Sequence, residues 1–333
     1  MRPLILVALL TMGLSSAGAA AQENLPAQNQ GDARSVSKLG IAGLYGMQGM
    51  GGSDPQRHAE AVRSVRKLAA QGDAHEQLDL GLLYYNGDSV PQDDAEAIKW
   101  IRKSADQGDS LAQLALGFIY GNGDGAPKDA IEAVKWFRKA AEQGVTIAQN
   151  NLALAYEDGR GVPQNDAEAL KWFRKAAEHG DAEAQRNLGD WYDSLWNFGN
   201  GPPEDIAESV KWYRKAADQG DAEAQVTLGH IYEQGSGVPQ DYAEAVKLYQ
   251  TAAKNGYPFG QASLAHMYAE GHGVTQDFVE AYAWVSVAVA QGDNAATKTR
   301  DQDAQHLTPA DLSKAQQLAK QYFADYVKTA SDR

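Results

Sequence analysis

Residues 93–128, "DDAEAIKWIRKSADQGDSLAQLALGFIYGNGDGAPK", decide the fold because they contain the start and stop signals of two helices. Asp93 stands three residues before Glu96, which is the spacing of a capping box at a helix N-terminus. Gly108 supplies a left-handed residue that ends this helix, and Asp109 is a good N-cap for the next one. The apolar stripe of the first helix is formed by Ala95, Ile98, Ile101 and Ala105. The stretch therefore predicts a helix pair.

This pair recurs along the chain with an almost constant spacing. Aligned positions are occupied by Trp100, Trp136, Trp172, Trp212, Leu248 and Trp284, at steps of 36, 36, 40, 36 and 36 residues. A fixed period in this range is typical of stacked helical repeats, and no stretch shows the alternation expected of a strand. The sequence predicts an all-α fold, a right-handed α/α superhelical solenoid.

The predicted organisation follows from this period. The repeat array covers residues 57–312, and its repeats are 57–92, 93–128, 129–164, 165–204, 205–240, 241–276 and 277–312. A flexible segment is predicted at 22–33 and an N-terminal capping helix at 34–56. A C-terminal capping helix is predicted at 307–328, where Thr308 is the N-cap and Pro309 the first helical residue.

The repeated residues also resemble a known family. The stretches "EAVKWFRKAAEQG" (132–144) and "AQNNLALAYEDGRGVPQ" (148–164) resemble the Sel1-like repeat, a relative of the tetratricopeptide repeat. The resemblance covers roughly residues 57–312. It implies a scaffold for protein–protein interaction, with roles in signalling, in envelope or polysaccharide assembly, or at host–microbe contacts. A glycan-binding role in envelope assembly is the alternative within this class.

The first 21 residues indicate export. Arg2 precedes an apolar run from Leu4 to Leu14, and small residues ending in Ala21 follow. This is the pattern of a cleaved signal peptide, and the apolar run is too short to cross a membrane. We expect cleavage after Ala21, a periplasmic or secreted mature protein, and no integral membrane segment in it.

Composition excludes several classes of function. The net charge is −14, which disfavours a nucleic-acid partner because the phosphate backbone is also negative. The absence of cysteine excludes disulfides and thiol catalysis. The seven histidines do not share a repeat position, so no metal site and no cofactor is predicted.

The first helix of each central repeat carries a ladder of charges. Its cations are Lys99, Arg102, Lys135, Arg138, Lys171, Arg174, Lys211 and Arg214, and glutamates precede the lysines by three residues. One interpretation is a groove that holds acidic groups of a partner. The other is a solvated face with ion pairs inside each helix, each contributing about 0.2–0.5 kcal/mol. The sequence leaves both open and predicts protein partners.

One repeat breaks the pattern. Repeat 165–204 has four extra residues after Tyr192, which the sequence places in an enlarged turn. Trp191, Trp196 and Phe198 concentrate aromatic side chains there. They are candidates for partner binding if exposed, since aromatic residues are common in binding hot spots. Alternatively, they fill a local gap.

A catalytic alternative depends on a short motif. Ser-x-x-Lys, which penicillin-binding enzymes use for acylation, occurs at Ser35–Lys38 and Ser64–Lys67. The accompanying Ser-Asp-Asn and Lys-Thr-Gly motifs are absent from the sequence. We therefore predict a protein that is not an enzyme, with a serine acyl-enzyme or cell-wall hydrolase as the remote alternative.

Overall fold

The computed structural model describes residues 55–197 and 203–327, with side chains from 59–194 and 205–327. The predicted signal peptide, the 22–33 segment and nearly all of the 34–56 helix lie outside these ranges. The chain divides into two compact halves, up to Trp172 and from Phe173, which are considered separately. In the described ranges the secondary structure is helical throughout, without a strand, and no helix there has the length and apolarity to cross a membrane.

Fifteen α-helices are present in the described residues, and the fold class is all-α as predicted. The helices that begin in the N-terminal half are α1 Pro55–Ala70, α2 Ala74–Asn86, α3 Asp94–Asp106, α4 Ser110–Asn122, α5 Ala130–Glu142, α6 Thr146–Asp158 and α7 Asp166–Glu178, which contains the division. The C-terminal half continues with α8 Ala182–Asn197, α9 Pro203–Asp218, α10 Ala222–Gln234, α11 Tyr242–Lys254, α12 Pro258–Glu270, α13 Phe278–Ala290, α14 Ala296–Asp303 and α15 Pro309–Tyr322. Odd-numbered helices up to α13 are the A helices of the repeats, and the even-numbered ones are the B helices.

Helices α3, α5, α11 and α13 begin at aspartate caps and α7 at Asn165, as the sequence predicts, but the capping box is only half formed. The Asp93 carboxylate accepts hydrogen bonds from the backbone N–H groups of Ala95 and Glu96, both at 3.0 Å. The Glu96 side chain does not return the bond, because the Asp93 N–H donates to the carbonyl of Tyr84 at 3.0 Å. The same junction bond recurs from Asp129 to Tyr120, Asn165 to Tyr156, Asp241 to Tyr232 and Asp277 to Tyr268.

Small residues allow the B helices to pack closely on the following A helices. Gly117 of α4 faces Phe137 of α5, and a Cβ atom at Gly117 would lie 2.4 Å from the Phe137 ring. Any larger residue there would therefore force the two helices apart. Ala112, Ala115 and Leu116 are fully buried in the same layer.

Buried glutamines of the B helices link consecutive repeats. Gln113 donates to the carbonyl of Ala105 at 3.1 Å, and its own side-chain oxygen accepts from Gln143 of the next repeat at 2.8 Å. Gln185 and Gln219, and Gln261 and Gln291, form the same pair at 2.7 Å. At Gln225 the bond is missing: its Oε1 is buried without a partner, and the residue at the donor position is the shorter Asn255.

The break in the repeat lengthens helices rather than a turn. Helix α8 has 16 residues, whereas the other B helices from α2 to α12 have 13. Helix α9 also has 16 residues, whereas the A helices α3, α5, α7, α11 and α13 have 13. The prediction of an enlarged turn is therefore wrong. The sequence "WYDSLWN" (191–197) continues the helical pattern, because it lacks the glycine that ends the other B helices.

The C-terminal helix covers the last A helix. Thr308 caps α15 by accepting from the Asp311 N–H at 3.2 Å. The Trp284 ring of α13 stacks on Tyr322 at 4.2 Å, and the Tyr322 hydroxyl donates to Glu280 at 3.0 Å. This contact buries the aromatic side chain at the end of the array.

Candidate functional site

The predicted cations lie on four A helices, and within each half of the chain the surface that they form is called the A-helix face. Helices α3 and α5 carry Lys99, Arg102, Lys135 and Arg138, and helices α7 and α9 carry Lys171, Arg174, Lys211 and Arg214. Each helix thus contributes one lysine and, three residues later, one arginine. The two residue types have different surroundings.

Each arginine is held by a tyrosine of its own repeat. Arg102 of α3 donates from Nη2 to the hydroxyl of Tyr120 of α4 at 2.6 Å. The equivalent bonds are Arg138 to Tyr156 at 2.7 Å, Arg174 to Tyr192 at 2.6 Å and Arg214 to Tyr232 at 2.5 Å. The tyrosine is always 18 residues after the arginine, so the bond joins helix A to helix B.

A glutamate from the next A helix completes the arginine's surroundings. Arg214 donates to Glu244 at 3.1 Å, and Arg102 lies 3.7 Å from Glu132. Glu132 also accepts from Lys135 at 3.1 Å and from the Trp136 indole at 3.0 Å. The bond from Lys135 is the main cause that lowers the pKa of Glu132. The arginines are therefore part of a network that connects repeats.

The lysines are loosely held. Lys99, Lys135, Lys171 and Lys211 pair with the glutamates three residues before them at 2.7–3.1 Å, and more than half of each lysine side chain is exposed. Exposed pairs of this kind contribute roughly 0–1 kcal/mol, so a competing carboxylate can replace the glutamate at little cost. This geometry agrees with the interpretation of a solvated face and is compatible with a groove for acidic groups.

Most tryptophans of the A helices are buried, whereas Trp100 is partly buried with the Lys103 amine 3.9 Å from its ring centroid. Trp136, Trp172 and Trp212 are buried, and lysine amines lie over the rings, with Lys139 at 4.0 Å from the Trp136 centroid and Lys215 at 3.8 Å from that of Trp212. Stacking of sugar rings on these indoles would first require the lysines to move.

Comparison with known proteins agrees with this architecture. The family model described as Sel1 repeat matches six consecutive stretches, residues 77–109, 110–145, 146–181, 182–221, 222–257 and 258–293. The chain belongs to the Sel1 repeat family. Sel1 repeats generally form scaffolds for protein–protein interaction, and the fold is typically non-catalytic.

Solved structures include other Sel1 proteins. A Sel1 repeat protein from Oxalobacter formigenes is 34% identical, with a TM-score of 0.64, over 76% of this chain and 96% of that one. The protective antigen c5321 of uropathogenic Escherichia coli, which has an SLR fold, is 28% identical over 89% of this chain and 85% of that one, with a TM-score of 0.39. None of the curated proteins matches the chain.

Of the three aromatic candidates in the longer repeat, only Trp191 has a described side chain. Trp191 of α8 is partly buried, and its ring tilts against Phe173 at 6.4 Å, which is a packing contact. Trp196 lies in α8, but its side chain is outside the described ones, and Phe198 lies outside the described residues altogether. The binding role of Trp196 and Phe198 stays a prediction.

The remaining predicted groups are dispersed among the Sel1 repeats. Ser64 and Lys67 lie on α1 without a hydrogen bond between them in the described part of the chain, and Ser35–Lys38 is outside it. Within the described ranges no three histidine or acidic side chains are grouped to hold a metal ion.

Two exposed residues were not singled out by the sequence. Ile131 and Phe259 are the large apolar residues most open to water among the described side chains, each 60% exposed. Ile131 borders a shallow depression of about 550 Å³ against the Gly159–Pro163 turn. A comparison between repeats could have identified Ile131, because most other repeats carry alanine at its position. It would not have identified Phe259, whose position also holds the apolar Leu111 and Ile147.

Proposed function

We propose that this Sel1 repeat protein is exported and that its A-helix face binds acidic groups of a protein partner. The partner is met in the cell envelope or at a contact with a host. The observation that carries the proposal is the Arg–Tyr hydrogen bond, repeated at one position in four repeats. It holds each guanidinium group in a fixed orientation relative to its own repeat.

Fixed arginines are favourable binding groups for two reasons. A side chain that is already ordered loses less conformational entropy when a partner binds. A guanidinium also offers several donors in a plane, which matches the two oxygens of a carboxylate. Arg102 and Arg214 are bonded to tyrosine, yet their side chains remain 40% and 42% exposed, which leaves donor groups for a partner.

The lysines supply the exchangeable part of the surface. Their glutamate pairs are exposed and weak, so a carboxylate of the partner can take the place of the glutamate. The interior tryptophans are buried, which makes glycan stacking on this face the less supported alternative. Export is supported by the signal-like residues 1–21.

The test uses the tagged full-length protein and crosslinking in envelope extracts. The Lys99→Glu/Lys135→Glu variant should lose the crosslinked partner at least tenfold, because two attractive charges become repulsive. Lys247→Glu is the matched control, since Lys247 has the same position and the same type of glutamate pair, but Gln250 and Thr251 replace the nearby cations. Equal loss in both variants, or capture that survives protease treatment of the extract and disappears with glycan degradation, would overturn the proposal.

Export is tested separately. N-terminal sequencing of the mature protein from fractionated cells should give Gln22 as the first residue, outside the cytoplasm. Intact Met1 on a cytoplasmic protein would contradict the proposal.

A further inference from the structure

Helix α12 starts without a side-chain cap, as does α6, where Val145 stands at the N-cap position. Asp73, Asp109 and Asp221 cap their helices with side-chain hydrogen bonds, whereas Tyr257 stands at this position in α12 and makes none. Loss of a cap destabilises the start of a helix. Two positions further on, Phe259 replaces the glutamates of the two preceding repeats, Glu183 and Glu223. Aromatic residues thus occupy two positions where the two preceding repeats carry a capping aspartate and a glutamate.

These two aromatic residues form a surface pair, the Tyr257–Phe259 patch. Their ring centroids are 5.6 Å apart with an interplanar angle of 54°, and Phe259 is 60% exposed. Isolated exposed apolar residues are common on protein surfaces, but an aromatic pair at an uncapped helix start is a better candidate for a contact site.

Charged groups beside the patch select the ligand. Arg186 lies 3.3 Å from Asp190, 3.5 Å from Asp221 and 3.5 Å from Glu223, so three carboxylates surround one guanidinium. Only 17% of the Arg186 side chain is exposed, whereas 58% of the Glu223 side chain is exposed. Glu223 stands on α10 at the repeat position that Phe259 holds on α12, and these two helices are in contact. Burial raises the pKa of Tyr257, the charge of Glu223 raises it further, and that of Arg186 lowers it. The surface next to the aromatic pair is therefore negative.

We propose that the Tyr257–Phe259 patch is a second interaction site, which binds a basic segment of a protein partner that also carries apolar side chains. A lysine or arginine of this segment pairs with Glu223 and lies over the aromatic rings, while an apolar neighbour covers Phe259. The ligand is opposite in charge to the one proposed for the A-helix face.

The experiment measures binding of a labelled Lys/Leu peptide to the full-length protein at about 0.15 M salt, where distant charges are screened. A Glu/Leu peptide of the same length is the comparison ligand. Phe259→Ala should weaken binding of the Lys/Leu peptide at least tenfold, and Glu223→Gln should weaken it about threefold. Ile131→Ala removes an equally exposed apolar residue elsewhere and should leave binding unchanged.

Tyr257→Asp separates the patch from simple charge attraction. This variant restores the missing cap and adds a negative charge, so its melting temperature should rise while peptide binding falls at least fivefold. A site that works by charge alone would bind the Lys/Leu peptide more tightly in this variant, which would overturn the proposal. Equal binding of the Glu/Leu peptide, or of a neutral oligosaccharide in place of the Lys/Leu peptide, would also overturn it. Lys99→Glu/Lys135→Glu should leave this binding intact, so failure here is distinct from failure at the A-helix face.

Discussion

The guanidinium of Arg102 donates a hydrogen bond to the hydroxyl of Tyr120 at 2.6 Å, and this bond connects the two helices of one repeat. The same bond recurs in three more repeats, which explains why the tyrosines are regularly spaced along the chain. The backbone carbonyl of Tyr120 accepts a hydrogen bond from Asp129 of the next repeat, and its hydroxyl accepts one from Arg102 of its own repeat. One residue therefore serves two connections.

Removal of this hydroxyl tests the side-chain connection. Tyr120→Phe should lower the free energy of unfolding by about 1 kcal/mol, because the bond involves a charged donor but is partly exposed. Tyr84→Phe is the control, since Tyr84 has the same repeat position and the described structure shows no bond to it from Arg66. Urea denaturation checks both, and an equal loss in the two variants would show that the bond contributes nothing specific.

The unpaired side-chain oxygen of Gln225 offers a stabilising change. Asn255→Gln should bring a donor to the buried Oε1 of Gln225 and raise the free energy of unfolding by about 1 kcal/mol, because an unsatisfied buried acceptor is costly. Gln219→Asn is the inverse experiment, because it removes the donor to Gln185 and should destabilise by a similar amount. Chemical denaturation should show shifts of opposite sign, and shifts of the same sign would contradict the assignment.

A buried carboxyl predicts a pH dependence of stability. Burial raises the pKa of Asp303 to about 6, while nearby His306 and His266 lower it. The folded protein therefore prefers the protonated form, and this contribution is present below about pH 4 and is lost as the pH rises through 6. Asp303→Asn should match the wild type at pH 4 and be more stable at pH 7.5, by about 2 kcal/mol.

Thermal melts at the two pH values check this expectation. Asp301→Asn is the control, because Asp301 is two residues away and its side chain is 63% exposed. A gain in stability that is equal at pH 4 and pH 7.5 would show that ionisation of Asp303 is not its cause.

A glycine in the turn between repeats makes the tightest backbone approach. Gly161 has φ of +75°, and a Cβ atom there would lie 2.1 Å from the carbonyl oxygen of Ala130. Gly161→Ala should destabilise by at least about 2 kcal/mol, since backbone strain and a steric clash add. Gly180→Ala separates the two effects, because Gly180 also has positive φ but open space around it, and about 1 kcal/mol is expected. Equal losses would remove the clash as an explanation.

The helix pairs were predictable because their signals are local. Asp93, Gly108 and Asp109 determine the start and end of helices through their own backbone geometry, and the period of the tryptophans multiplies the signal. The break was misjudged because four extra residues can extend helices or enlarge a turn. Helix α8 extends to Asn197 because Leu195 stands at the position where a glycine ends the other B helices.

The site was harder to predict because its contacts join residues far apart in sequence. The spacing of Lys99 and Glu96 shows their pairing directly, but nothing in the sequence states that Arg102 reaches a tyrosine 18 residues later. The burial of Trp136 under Lys139 also depends on packing between helices. The exposure of Phe259 also depends on packing, because its repeat position holds an apolar residue at Leu111 and a charged one at Glu223.

The junction bonds between a tyrosine carbonyl and the N-cap of the next A helix have a mechanical consequence. Each bond connects immediate neighbours only, so the junctions of a half lie in series and carry the same pulling force. The weakest junction yields first, and its neighbours keep their own bonds. A regular repeat of 36 residues would then release about 120 Å of chain, which gives a force–extension curve with evenly spaced steps. Under tension, each half would therefore unfold one repeat at a time rather than in a single step.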